Sequence, residues 1–434
     1  MVSFNARRFL RALFDTAVSA AQPARCLPRH FPEPPADPAG KIIVIACGKA
    51  AAGMARTAEL HYEREDVLER LTGVAITRYG FGEPLAKLKL VEAAHPIPDE
   101  TSEYAAGEAI TLAKSAQPGD LVLFLISGGA SSLCVAPAPG MTLAEKQALT
   151  RALLRSGARI HEVNCVRKHV SRFKGGRLAA YASAAMLITL AISDTPGDEP
   201  ETIGSGPTSP DPTTLAEARS IIAKYGIEVP GSIEAALNDP ANETPKPGDP
   251  IFANARYQLV ATGRDSLEAA AELARSFGYE IVMLGDSIEG EAREIAHSHA
   301  LLAKRCLAEG RRAVILSGGE LTVTVKGTGK GGPNQEYALA LAIALSGEKG
   351  IAALAGDTDG TDGGTGARDD PAGAIIDSQT LRRAAALNLV PATFLENNDS
   401  TGFFRLTNDL VVCGPTGTNV NDFRAIVVDS AIKD

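Results

Sequence analysis

The chain has 434 residues, is 45% hydrophobic, contains no tryptophan and carries a net charge of −9. That length allows two or three domains and a large buried core. The acidic balance argues against a dedicated nucleic-acid binder and against a partner on an anionic membrane.

Residues 3–22 read as an amphipathic helix with Phe4, Leu10, Leu13 and Phe14 as its apolar positions, and a Pro-rich connector, 23–40, follows. A rhythm of apolar strand, Gly-rich or polar turn and helix then begins. Strands are expected at 41–46, 74–77, 90–93, 121–126 and 186–192, and helices from Gly48 onward, at 141–156 and at 174–181. Residues 238–250, rich in Pro, Asn and Asp, are the best linker candidate. A second rhythm places strands at 258–261, 280–284 and 312–316 and helices at 265–277 and 290–309. Repeated strand-turn-helix units predict a mostly parallel sheet with helices on both faces. Both halves run a strand into Ser-Gly-Gly, which suggests two α/β domains flanking a cleft. We divide them as 1–240, with a Rossmann-like parallel sheet, and 251–434, with a mixed sheet.

The cysteines Cys26, Cys47, Cys134, Cys165, Cys306 and Cys413 form no C-x-x-C pair. A zinc site or disulfide framework is therefore not expected, and a reducing cytoplasm fits best. No apolar signal-peptide core opens the sequence, and the longest apolar runs are too short or interrupted to span a bilayer.

Ligands of open α/β sheets bind beyond the carboxyl ends of strands, and the polar motifs here fall at such ends. Gly48-Lys49 opens a helix, where backbone N–H groups and a mobile cation suit an anion. The GxxxxGK[ST] spacing is absent, so the alternative is an ordinary helix-opening turn. Ser127-Gly128-Gly129-Ala130-Ser131-Ser132 offers exposed amides and hydroxyls, an anion cradle. A serine nucleophile is the rival there, but the GxSxG elbow is missing. The segment 164–177 concentrates Arg167, Lys168, Arg172, Lys174 and Arg177. It suits a substrate carboxylate or phosphate, or else a solvated basic face. Asp194 leaves a strand directly, where a metal ligand or general base would sit.

Two Gly-rich loops remain. Gly327–Gly332 matches GxGxxG, but the run before it, 321–325, alternates and predicts a half-exposed antiparallel strand. A dinucleotide fingerprint follows a continuously apolar parallel strand, so that context fails, although the amides, Lys326 and Lys330 could hold phosphates. The loop 355–367, AGDTDGTDGGTGA, sets Asp357, Asp359 and Asp362 among five glycines and three threonines. Clustered carboxylates call for a cation, a basic partner or open water, and oxygen ligands suit Mg²⁺. Position twelve from Asp357 is Arg368, which excludes an EF-hand.

In order along nearly the whole chain, GKAAAGMA, SGGASSL, VRKHVSRFKGGRLA, SDTPGDEPETIGSGPT, LSGGELTV, GGPNQEYALA, GDTDGTDG and NDLVV resemble the class II glycerate 2-kinases. The C-terminal part of that family is called MOFRL, here about 312–428. The resemblance implies ATP-dependent, Mg²⁺-assisted phosphorylation of D-glycerate at its 2-hydroxyl. It implies that Lys49 stabilises the transferred phosphoryl group and that Asp194 acts as metal ligand or base. Gly48, Ser127, Gly128, Gly129, Ser131, Ser132, Lys330 and Asn334 are then expected at the nucleotide phosphates. Arg167, Lys168 and Lys174 are expected at the substrate, and Asp194, Asp357 and Asp362 at the metal. Many members carry Arg where this chain has Pro333, and Lys330 or Arg167 is the candidate for the missing charge. A homo-oligomer is compatible with this reading. Its rivals are an NAD(P)H-dependent hydroxypyruvate reductase, a label some members have carried, and a non-catalytic binder of small anions.

Overall fold

The computed structural model describes residues 5–364 and 367–432. Phe4 of the expected first helix, and Thr365 and Gly366 of the Asp/Gly loop, lie outside the described residues. The structure divides into two compact units. A contiguous unit spans Cys26–Val260, and a composite unit joins the segment up to Arg25 to the chain from Ala261 onward.

This division differs from the expected 1–240 and 251–434 at two places. The first helix, Ala6–Ala20, buries Phe9, Leu10, Leu13 and Phe14 among Leu267, Ala270, Leu316, Leu354 and Phe423. Burying each Leu or Phe is worth about 1.5–3 kcal/mol, so the helix follows its packing partners rather than its neighbours in sequence. Residues 238–250 are not a linker either. Thr244 Oγ1 donates to Asp211 Oδ2 at 3.0 Å, Glu243 accepts from Leu215 N at 3.0 Å, and Arg177 donates to Asn242 O at 2.5 Å. These bonds stitch the Pro/Asn/Asp segment into the contiguous unit.

The contiguous unit is built on β1 (Ile42–Cys47), β2 (Leu71–Arg78), β3 (Lys89–Ala93), β4 (Leu121–Ile126), β5 (Met186–Ile192) and β6 (Ala255–Ala261). Their order is β3-β2-β1-β4-β5-β6, and β1 to β5 are parallel. Every residue of β1 and β4 is buried, which is why both read as uninterrupted apolar runs. The order reverses between β1 and β4, the topological switch point of such a sheet. Cys47 pairs with Ile126, and Ile126 with Ala191. The turns after β1, β4 and β5 therefore leave one edge at one level.

The composite unit holds β7 (Glu280–Gly285), β8 (Gly290–Glu291), β9 (Ala313–Ser317), β10 (Leu321–Thr322), β11 (Ile351–Asp357), β12 (Gly373–Ile376), β13 (Leu410–Val411) and β14 (Asp422–Val428). A mixed sheet runs β13-β12-β11-β14-β9-β7, with β7 and β9 parallel and the other neighbouring pairs antiparallel. The antiparallel strand expected over 321–325 is not formed. β10 covers two residues and pairs parallel with β8, because the alternating run beyond it is largely exposed.

Candidate functional site

The turns after β1 and β4 are tied to each other at the switch point. Lys49 N donates to Gly128 O at 2.8 Å, and Ala50 N donates to Ser127 Oγ at 3.0 Å. Gly48 has φ +134°, and a Cβ there would lie 2.2 Å from Ser127 Oγ. Only glycine admits that approach. Ser127 is fully buried and its hydroxyl is engaged by Ala50, so it shapes the turn instead of facing a ligand. Gly129, at φ +83°, starts the short helix Ala130–Leu133. A Cβ on Gly129 would meet His95 Nε2 at 3.1 Å and Lys49 Cγ at 3.3 Å. His95 thus stands beside Lys49 and the Gly129 turn, a neighbour that sequence reasoning missed. Its one available signal was its place just past the end of β3. Ser132 Oγ donates back to Gly129 O at 3.1 Å.

Ser131 collects the basic segment. Lys174 Nζ donates to Ser131 O at 2.7 Å and lies 2.8 Å from Ser131 Oγ, Arg167 Nη2 donates to the same hydroxyl, and Ser205 Oγ is 3.0 Å away. Ser131 and Arg167 are half-buried, and Lys174 lies fully buried behind them. Burial, with Arg167 and Lys146 close by, holds the Lys174 ammonium far below its ordinary range. Lys168 does not join them. It is buried on another face of the helix Ile160–His169 and pairs with Asp211 Oδ1 at 3.3 Å. Successive helix residues point about 100° apart, and here Arg167 turns to Ser131 while Lys168 turns to Asp211, so the two do not meet at one site. Asp194 emerges half-buried two residues past β5, at the level of Lys49 and the Ser127 turn.

In the composite unit, two expected ligand residues, Asp362 and Asn334, instead bond to each other. Asp362 Oδ1 accepts from Asn334 N at 3.0 Å and Asn334 Nδ2 at 3.3 Å, while Oδ2 accepts from Gln335 N and Nε2, both at 2.9 Å. A carboxylate has about four acceptor sites, and here the donors number four. Asp362 is therefore the cap of the helix Pro333–Leu345, a favourable place for a carboxyl group. It does not fit a metal ligand, and Asn334 does not fit a phosphate contact. Burial pushes the Asp362 carboxyl up to about 7 against the pull of those donors. Pro333 occupies the first helical turn, where its missing N–H costs no hydrogen bond. Asn334 Nδ2 also donates to Asp422 Oδ1 at 2.6 Å, and Asp422 Oδ2 pairs with the fully buried Arg424 at 2.9 Å. Neither Asp422 nor Arg424 is picked out by the motifs. Their signal is the i, i+2 spacing that puts both on one face of a strand.

The GxGxxG amides are engaged as well. Lys326 N and Gly327 N donate to Asn398 Oδ1, Thr328 N to Asn397 Oδ1, Gly329 N to Asn397 O, and Lys330 N to Asp399 Oδ1. The loop packs on 397–399 through the groups a dinucleotide would need, while Lys326, Thr328 and Lys330 are exposed. Asp357 is half-buried at the end of β11, with Oδ1 accepting from Asp359 N at 2.9 Å. Among the described residues no group of three or more His, Cys, Asp or Glu is placed to hold a metal ion.

Two family models match the chain: DUF4147, a domain of unknown function, over residues 9–238 and the MOFRL family over residues 313–422. A putative hydroxypyruvate reductase of Agrobacterium vitis is 46% identical over 98% of this chain and 95% of its own. A D-glycerate 2-kinase of Thermotoga maritima is 39% identical over 94% of each chain. The crystal structure of a glycerate kinase from Thermotoga maritima superposes with a TM-score of 0.87 at 36% identity, covering 97% of this chain and 99% of that one. The chain belongs to the class II glycerate 2-kinase family.

Proposed function

We propose that the chain transfers the γ-phosphoryl group of ATP to the 2-hydroxyl of D-glycerate, giving 2-phosphoglycerate and ADP. The observation that carries this reading is the level register of β1, β4 and β5, which brings Lys49, the Ser127–Ser132 turn and Asp194 to one sheet edge at the switch point. Phosphoryl transfer needs positioning and charge neutralisation more than covalent help. Lys49 offsets charge on the transferred group. The amides of Gly128 and Gly129 orient the phosphates. Ser131, Arg167 and Lys174 hold the acceptor, and Asp194 draws the proton from its hydroxyl. Mg²⁺ accompanying the nucleotide would neutralise phosphate charge, a role for which one or two protein carboxylates usually suffice, and Asp194 would hold it from the contiguous unit.

The reductase reading loses its support with the occupied amides of 326–330. Incubation with D-glycerate and ATP, and separately with hydroxypyruvate and NADH, tests both. The expected result is ADP and 2-phosphoglycerate in the first mixture. Loss of NADH absorbance with no ADP formation would defeat the kinase reading. No helix among the described residues is long and apolar enough to cross a membrane. A cytoplasmic setting is part of the same reading and rests on cysteine usage.

A further inference from the structure

Three basic groups of the contiguous unit meet with no acid among them. Lys174 and Arg167 both reach Ser131 Oγ. Lys146 sends Nζ to Val170 O at 2.5 Å and to Arg167 O at 3.4 Å, the end of the helix that carries Arg167. The ionisable groups facing Lys174 are Arg167, Lys146, Cys134 and Cys47. Cations packed this closely away from water cannot all stay charged. An uncharged Lys174 satisfies the bonds observed. Its amine has two hydrogens, donated to Ser131 O and Ser131 Oγ, and the serine hydroxyl, which also accepts from Arg167, donates to Ser205.

Such a cluster is incomplete. Its partly exposed front is formed by Ser131 and Arg167, and an anion placed against them would turn mutual repulsion into attraction. We propose that Ser131, Arg167 and Lys174 form the pocket for the acceptor's carboxylate, and that the anion is taken up together with one proton, which ends on Lys174 Nζ. The identity of the anion rests on the glycerate kinase reading; the proton uptake does not. The proton comes from solvent, so no charge is left buried alone. Wherever Lys174 is uncharged in the free protein and charged in the complex, affinity for the carboxylate then falls about tenfold per pH unit, the linkage expected for one proton taken up on binding.

Calorimetric titration of D-glycerate into the full chain, without nucleotide, reads this directly. At pH 8, in two phosphate-free buffers of different ionisation enthalpy, the observed heat changes with the buffer by close to one proton per molecule bound. Lys174→Met binds at least tenfold more weakly and loses the buffer dependence. A heat that is the same in both buffers for the unaltered protein overturns the proposal, and that comparison needs no variant to fold. So does unchanged proton uptake in a folded Lys174→Met. Propionate, which has no hydroxyl to phosphorylate, serves as a second probe. Proton uptake with propionate in a protein that fails the kinase assay upholds the pocket and sinks only the kinase reading. Phosphorylation of D-glycerate without proton uptake does the reverse.

Discussion

Asn334 gives two nitrogens to one carboxylate oxygen of Asp362, a residue 28 positions further along the chain. The loop after β11 thus closes the start of the helix Pro333–Leu345. Asp362→Asn replaces one acceptor oxygen with a donor that faces the Gln335 or Asn334 N–H groups. We expect a loss of about 1–3 kcal/mol. The effect has a definite pH dependence. The folded carboxyl sits at about 7, above its ordinary 3.8. Its contribution is complete below pH 3.8 and is lost as pH rises through 7. Urea denaturation at several pH values should show the gap between Asp362→Asn and the unaltered protein narrowing from pH 4 to pH 7. A constant gap would contradict the raised carboxyl.

His299 runs in the opposite sense. It is buried, with Nδ1 2.8 Å from the Tyr337 hydroxyl, and burial, helped by the nearby Arg424, holds its imidazole down at about 4. The unfolded chain binds a proton below about 6.5 and the folded chain only near 4. This contribution is therefore full above 6.5 and is lost as pH falls through 4. His299→Gln should flatten the acid limb of the stability profile. Because His299 and Asp362 oppose each other over much of the same range, the single variants reveal what the parent profile hides.

Lys49 lies on the turn that the Gly128 carbonyl holds in place. Removing a central charge contact costs on the order of 10²–10³ in rate. Lys49→Ala is expected to lose that much turnover while its circular dichroism and melting stay close to the parent. Near-normal turnover would remove Lys49 from the proposed mechanism.

Arg167 and Lys168 are neighbours with opposite predicted consequences. Arg167→Met should raise the KM for D-glycerate and leave melting nearly unchanged. Lys168→Met leaves the buried Asp211 without its cation, and breaking such a pair costs about 3 kcal/mol. Its signature is a lower melting temperature, with KM retained in the protein that remains folded.

Gly48→Ala tests the tie between the two switch-point turns. The added methyl meets not only Ser127 Oγ at 2.2 Å but also the Ser127 carbonyl oxygen at 2.5 Å. Stability and turnover should both fall, and Ser127→Ala added to Gly48→Ala should not restore them. Rescue by the double variant would mean that the hydroxyl alone enforces the glycine.

The parallel strands of the contiguous unit are readable in the sequence because both faces of β1 and β4 are covered, and two-sided burial leaves an unbroken apolar signature. The turns at their carboxyl ends are readable for the same reason. Side-chain partnership was less legible. The reading of 164–177 as one basic patch treated charge as a property of a stretch, whereas the helix Ile160–His169 turns Arg167 and Lys168 to different neighbours. The Asp/Gly loop suggested a metal because nothing local reveals that Asp362 meets a helix start far back in the chain. The GxGxxG fingerprint failed already on its strand context, but the expectation that its amides could hold phosphates fails in the same way as the metal, since they are satisfied by Asn397, Asn398 and Asp399 about 70 residues later, beyond the reach of any local pattern.

The composite unit is closed by both ends of the described chain, and this orders its appearance during synthesis. The helix Ala6–Ala20 leaves the ribosome before the contiguous unit, yet Leu267, Leu316, Leu354 and Phe423, which cover Phe9, Leu10, Leu13 and Phe14, are made only after that whole unit has been translated. Domains generally fold as units while they emerge. The contiguous unit can therefore be complete while a short amphipathic helix waits beside it with its apolar stripe uncovered. Chaperone demand should thus centre on the helix Ala6–Ala20, and should end only when β14 is released.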